Sequence, residues 1–246
     1  MLKFDNLKIA FEDKSDKDLN RAYLLFKTLN NPILSNTLNI IIKIAMWLSL
    51  PIDGIIKSTV YKHFCGGTTI ENSQKTINKL WRAHIGTILD FSAEGKESED
   101  DFNRAMQETL ASIIKAKTDK SIPFAVFKPT GLARFNLLEK ISKGQLLNEN
   151  EILEKEILEN RIIRICKSAS ENKVPLFIDA EESWIQDTID EIALRMMQKF
   201  NKQHVWIYNT IQLYRKNRIE YLKMILDQAK QDQFKLGLKL VRGAYY

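Results

Sequence analysis

Several short apolar runs in this chain end in a polar residue, each of a different chemical type: Asp90, Lys128, Asp179, Asn209 and Arg242. Lys128 closes Phe124-Ala-Val-Phe and precedes Pro129-Thr-Gly, a rigid turn that would hold its ammonium at the mouth of a site. There it can pair with a substrate carboxylate or phosphate, or form a Schiff base if its pKa falls, the alternative being a lysine that snorkels off the strand end. Asp179 follows Leu-Phe-Ile, and a strand-end acid of that kind can pair with a buried cation or orient one. Glu181 and Glu182, next along, read as caps for a helix N-terminus. Gln212, in Tyr208-Asn-Thr-Ile-Gln, carries an amide that both donates and accepts, as reading the edge of a heterocycle requires. The stretch from Lys235 to Tyr246, KLGLKLVRGAYY, brings Lys239 and Arg242 to one strand end. Two cations in a barrel mouth demand an anionic partner: a phosphate, a carboxylate or a developing anion. Gly243 lets backbone approach a ligand closely, and Tyr245 offers a flat apolar wall with a polar tip.

Positioning such groups requires elements that end together. From Ile85 onward, β-rich runs alternate with long amphipathic patterns: Ile85 to Phe91, Phe124 to Lys128, Val174 to Asp179, Val205 to Asn209 and Leu238 to Arg242. Between them, Phe102, Met106, Leu110, Ile113 and Ile114 follow a Ser98-x-x-Asp101 cap, and Trp184, Ile185, Ile189, Ile192, Met196 and Phe200 mark a further helix. Two more helical patterns run over 148–170 and 211–229. The order βαβαβαβαβ means parallel strands with right-handed crossovers, either a doubly wound sheet or a closed barrel. No strand leads into Gly-x-Gly-x-x-Gly, and the varied strand ends match a barrel whose site is assembled from several strands, so the fold class read here is an α/β, TIM-type (βα)8 barrel. About five βα units do not close such a barrel. The chain is therefore expected to lack a C-terminal part and to leave sheet edges unprotected.

Residues 1–84 read as an all-helical N-terminal arm, and 85–246 as the partial barrel. In the arm, Asn20 to Leu29 and Asn36 to Leu50 are helical, and Thr68-x-x-Glu71 has the form of a capping box. Ile33 to Leu50 is the most apolar stretch. Asn36, Asn39 and Lys43 interrupt it and its length is marginal for a span, so it is expected to be a buried helix, with a helix lying on a membrane surface as the alternative.

The 246 residues include 37 basic and 31 acidic side chains, a formal charge of +6. The lysines are interleaved with glutamates, as in EILEKEILENRIIR, and no dense basic stripe with aromatics appears, so nucleic-acid binding is set aside. The two cysteines, Cys65 and Cys166, lie far apart, and His63, His84 and His204 show no ligand spacing. Neither a disulfide framework nor a metal site is implied. The N-terminus has no continuous apolar core and carries acids early, which argues against a secretory signal. The loop at His63, Cys65 and Gly66-Gly67 has no physical reading.

Taken together, Leu89-Asp-Phe-Ser-Ala-Glu-Gly-Lys, Phe127-Lys128-Pro-Thr, Phe177-Ile-Asp179-Ala-Glu-Glu, Asn209-Thr-Ile-Gln212-Leu-Tyr and Lys239-Leu-Val-Arg-Gly-Ala-Tyr245 resemble the proline dehydrogenase family, in its single-function form. The resemblance implies a distorted (βα)8 barrel holding FAD, oxidation of L-proline to Δ1-pyrroline-5-carboxylate, and electron delivery to a membrane quinone. It implies that Lys128 pairs with the proline carboxylate and that Tyr245 lines the proline ring. Asp179 is then an essential acid, Lys239 stands near the flavin N5, Gln212 contacts the flavin, Arg242, Gly243 and Ala244 bind it, and Leu176 sits where backbone passes the isoalloxazine. At Lys239 many members carry arginine, so the charge is kept while the planar fork is lost. A quinone-reducing enzyme must meet a bilayer, which implies a cytoplasmic protein held peripherally on the inner face of the membrane. The alternatives are a Schiff-base aldolase-like barrel using Lys128 and a truncated relative without turnover.

Overall fold

The computed structural model describes residues 5–52, 54, 59, 61–91 and 95–243. They fall into two compact units, Met1–Ile85 and Gly86–Tyr246.

In the first unit the described secondary structure is helical: α1 (Leu7–Ala10), α2 (Asp16–Leu29), α3 (Pro32–Trp47), α4 (Lys62–Phe64) and α5 (Ile70–Arg82). The starts follow from local chemistry. Ser15 accepts a hydrogen bond from the Asp18 N–H, with Asp16 and Asp18 in the first turn of α2. Asn31 caps α3 ahead of Pro32, whose missing N–H costs nothing at that position. The cap of α5 is Thr69, which accepts from the Asn72 N–H, one residue later than the Thr68 pattern suggested; Thr68 instead accepts from the Asn72 side chain. The expected burial of α3 is not observed. Ile33, Ile40, Ile41, Ile44, Met46 and Trp47 are exposed and only Ala45 is buried, because α3 packs on α2 and leaves its remaining faces bare.

The second unit runs β1 (Ile88–Leu89), α6 (Glu99–Thr118), β2 (Phe124–Phe127), a 3-10 turn (Pro129–Gly131), α7 (Phe135–Ser142), α8 (Glu149–Asn172), β3 (Leu176–Ile178), α9 (Gln186–Phe200), β4 (Ile207–Gln212), α10 (Arg218–Gln231) and β5 (Leu238–Val241). All four pairings are parallel and the strand order is β1-β2-β3-β4-β5. A doubly wound sheet reverses its order partway, whereas this one never does, so the arrangement is five staves of a barrel wall. Every strand then ends at the same rim. That shared rim allows residues far apart in sequence to meet.

The helices form by the expected rules. Ser98 caps α6 through the Asp101 N–H, and Asn148 with Glu151 forms a complete capping box on α8. The Lys140 ammonium, which donates to Glu151, is the main reason that carboxyl titrates below the ordinary glutamate range. Alternate strand residues, Ala125 and Phe127, Leu176 and Ile178, Ile207 and Ile211, are buried, as are Leu158, Ile162 and Ile165 of α8 and Ile189, Ala193 and Met197 of α9. Each fully buried aliphatic side chain contributes roughly 1.5–3 kcal/mol relative to exposure, which makes the layer between sheet and helices the main source of stability.

Two polar devices hold the strands in place. Asn201, fully buried, accepts from the N–H groups of Trp206 and Ile207 and donates to the carbonyls of Ile207 and Lys235, tying the starts of β4 and β5 together. Arg161 of α8, also buried, donates to the Leu132 carbonyl at 3.0 Å and to Asn103 and Glu99 of α6, which anchors the chain just beyond β2. At Gly237 the strands approach so closely that a Cβ would stand 2.4 Å from the Ile207 carbonyl oxygen. Only glycine fits.

Candidate active site

Alternation along the strands sorts the site residues by height on the inner face. Phe124, Phe177 and Tyr208 form the lowest tier. The two phenylalanine rings stack at 4.4 Å and 6°, and Tyr208 meets both edge-on at 5.5 Å. One step toward the rim, Asp179 Oδ1 accepts from Lys239 Nζ at 2.5 Å and from the Thr210 hydroxyl at 3.4 Å. Thr210 and Lys239 are register partners across β4 and β5, so the sheet itself sets this pair. The Lys239 ammonium also lies 5.1 Å over the Phe177 ring. Both side chains are partly accessible, at 32% and 21% for Lys239 and Asp179, so the pair faces the interior space and is not sealed in the core.

At the rim itself stand Lys128, Glu181 and Gln212. Lys128 Nζ donates to Asp90 Oδ2 at 2.9 Å, joining the ends of β1 and β2. Gln212 Nε2 donates to the Glu181 carbonyl at 2.6 Å, while its Oε1 is buried and has no hydrogen-bond partner among the described residues. A buried acceptor without a donor costs about 1–3 kcal/mol, so this oxygen is open to an incoming N–H. The amide side chain at this place suits the edge of a planar heterocycle.

Glu181 does not cap a helix, as its sequence position suggested. The helix begins later, at Gln186, with Ile185 in the capping position and no side-chain cap. Glu181 follows Phe177 and Asp179 on the inner face, and its carboxylate accepts from both the N–H and the hydroxyl of Thr130. Burial, opposed by these hydrogen bonds, pushes its titration up to about 7. The signal that marks it is the period of two, Phe177, Asp179, Glu181, continued one step past the strand.

Other sequence-derived residues are placed as follows. Gln212 is the last residue of β4 and not the first turn of a helix, since α10 starts only at Arg218. Asn209 is mid-strand and points to the outer layer, where it donates to Asp190 and to Tyr221. Leu176 is not brought to the rim. It opens β3, its side chain is fully buried, and its N–H donates to the Trp206 carbonyl. Arg242 is exposed, with no ion pair among the described residues, and Gly243 has φ of +81°, a left-handed backbone that favours glycine. Ala244 and Tyr245 lie outside the described residues.

The structure thus brings together Lys128, Asp179, Gln212 and Lys239, with Glu181 among them, at the C-terminal rim of parallel strands. Fold and site define an α/β-barrel-type chain with charged and amide side chains gathered at one end of its parallel strands. Residues 73–246 match the sequence pattern described as proline dehydrogenase. The chain belongs to the proline dehydrogenase family. It is 34% identical, over 78% of its length and 51% of the relative's, to the carbapenem antibiotics biosynthesis protein CarD of Pectobacterium carotovorum subsp. carotovorum. It is 28% identical to the mitochondrial proline dehydrogenase 1 of Dictyostelium discoideum, over 99% of this chain and 50% of that one. The chain therefore spans about half the length of these curated relatives. In fold it is similar to proline utilization A of Bdellovibrio bacteriovorus, with a TM-score of 0.65 at 17% identity, covering 97% of this chain and 26% of that one.

Proposed function

We propose that this chain takes part in the oxidation of L-proline to Δ1-pyrroline-5-carboxylate, with FAD as the acceptor and a membrane quinone taking the electrons onward. The observation that carries the reading is the Asp179–Lys239 pair, next to Lys128 in the strand register, together with the unpartnered Gln212 oxygen. Bound FAD supplies the two-electron acceptor for the hydride that leaves proline C5.

Lys128 receives the substrate carboxylate. Asp90, a partner of Lys128, is the more exposed of the two at 39%, so an incoming carboxylate can displace it without stranding the ammonium. Gln212, with its free Oε1, and the left-handed turn at Gly243, where backbone could approach closely, would hold the flavin. Lys239 supplies a fixed positive charge where electron density accumulates during transfer, and Asp179 with Thr210 keeps that ammonium aimed. The substrate must reach the site with its amine deprotonated, because the nitrogen lone pair forms the imine as hydride departs. These groups work by position and charge; none forms a covalent bond to the substrate.

Electron delivery to a quinone calls for contact with a bilayer. Among the described residues no helix is long and apolar enough to cross a membrane. The exposed apolar side chains of α3 supply the surface for peripheral attachment on this reading, placing the protein at the inner face of the cytoplasmic membrane. Failure to co-sediment with liposomes removes that part.

The test is anaerobic addition of L-proline to the FAD-loaded protein. Loss of the oxidised flavin's long-wavelength absorbance, with one cyclic imine formed per flavin, is the expected result. Bound flavin that stays oxidised with excess proline contradicts the proposal.

A further inference from the structure

Glu181 is tied to its surroundings by both its side chain and its main chain. One carboxylate oxygen accepts the Thr130 N–H at 3.0 Å and the other meets the Thr130 hydroxyl. Its own N–H donates to Gln186 Oε1 at 3.0 Å, and its carbonyl accepts from Gln212 Nε2 at 2.6 Å. Thr130 lies in the buried Pro129–Gly131 turn that immediately follows Lys128. Gln186 is held in turn by Asp190 of α9, the same carboxylate that binds Asn209 and Arg218. A single residue therefore connects the segment carrying Lys128 to the end of the strand carrying Gln212 and to the start of α9.

We infer that Glu181 is the positioning residue of this site: its carboxyl group, closed on Thr130, fixes the turn that aims Lys128 at the substrate's carboxylate, while its carbonyl fixes Gln212. The inference rests on the proposed proline reading for the identity of the ligand, but the geometric claim about the turn does not. Proline and its oxygen analogue, tetrahydrofuran-2-carboxylate, share the ring and the carboxylate that Lys128 receives. The analogue has no amine to titrate.

Among the described residues the charged groups that act on Glu181 are Lys128 from the end of β2 and Glu182 next in the chain; α9 and β4 face it with the amides of Gln186 and Gln212. With the carboxyl protonated, its O–H turns to the Thr130 hydroxyl and Glu181 adds no negative charge beside Lys128. With it ionised, an incoming carboxylate meets a like charge. Binding of the analogue therefore weakens as pH rises through about 7, and the dependence belongs to Glu181.

The experiment compares Glu181→Gln and Glu181→Ala. The amide keeps an acceptor for the Thr130 N–H and a donor for its hydroxyl, whereas alanine keeps neither. Amide exchange is read at Thr130 and Gly131 in the full chain without ligand, and analogue affinity is read on FAD-loaded protein at matched flavin occupancy. Alanine is expected to speed exchange at these two sites by about tenfold, with exchange in the Leu158–Ile165 core of α8 unchanged, and to weaken analogue binding by a similar factor. Glutamine is expected to restore both to within about threefold of the wild type and to flatten the pH dependence of binding. Unchanged Thr130 exchange in the alanine variant, or equal losses in both variants, overturns the inference. A wild-type chain that holds flavin but no ring carboxylate removes the proline reading instead, and the exchange comparison still decides the role of Glu181.

Discussion

Replacing Gly237 with alanine tests how the site is held, from a position that touches no ligand. A Cβ there would stand 2.4 Å from the Ile207 carbonyl oxygen, 2.7 Å from Val205 Cγ1 and 3.0 Å from the Tyr208 ring. Contacts below 3.0 Å do not persist, so β5 must retreat from β4 by at least about 0.6 Å at this point. The first casualty is the bond from the Asn209 N–H to the Gly237 carbonyl, now 2.9 Å. Losing one or two ladder bonds at about 1 kcal/mol each, with the strain of a forced contact, destabilises the second unit by about 2–4 kcal/mol. Lys239 lies two residues further along the same strand, so the retreat also loosens its bond to Asp179. Urea unfolding, with amide exchange over 207–212 as a local readout, measures the effect. A loss under about 0.5 kcal/mol, with exchange unchanged, would refute the close-approach argument.

Asp179→Asn should keep the shape but leave Lys239 without its counter-ion. Turnover is then expected to fall about 100-fold or more while flavin stays bound, and near-normal turnover removes Asp179 from the site. Glu181 sets a pH dependence of stability. Its carboxyl titrates near 4.5 unfolded and about 7 folded, so the folded state holds the proton more tightly. Stability is then highest below the lower value and falls as pH climbs through the window, by at most about 3 kcal/mol. Denaturation series on wild type and Glu181→Gln should diverge over that range, and parallel curves contradict the assignment. Arg161→Ala should release the Leu132 carbonyl and strand Glu99 and Asn103, costing about 2–4 kcal/mol in urea unfolding; a neutral result would show that the anchor beyond β2 contributes nothing.

The period of two and the apolar runs were enough to find all five strands, and the polar residue closing β2 and β3 pointed to Lys128 and Asp179. The pattern misled where a strand ran on. In β4 the polar Asn209 suggested an end, yet the strand continues to Gln212, because Asn209 serves the outer layer through Asp190. Glu181 was hidden by the resemblance of any acid before a helix to a cap, and its true partner, Thr130, lies 51 residues away. The short α7 lacked the length that makes a helical period visible. For α3 the sequence shows how apolar the helix is and nothing about what surrounds it. Close approach at Gly237 is a property of two strands together, which no single stretch displays.

On the proposed function, Lys128, Asp179, Gln212 and Lys239 serve one site that holds flavin and a ring carboxylate side by side. The most direct measurement is the visible difference spectrum of the FAD-loaded protein on adding tetrahydrofuran-2-carboxylate, recorded for wild type and for Lys128→Ala. A saturable perturbation of the flavin bands is expected in the wild type, lost or moved to much higher ligand concentration in the variant, at equal flavin content. An identical perturbation in both, or loss of the flavin itself on changing Lys128, would contradict it.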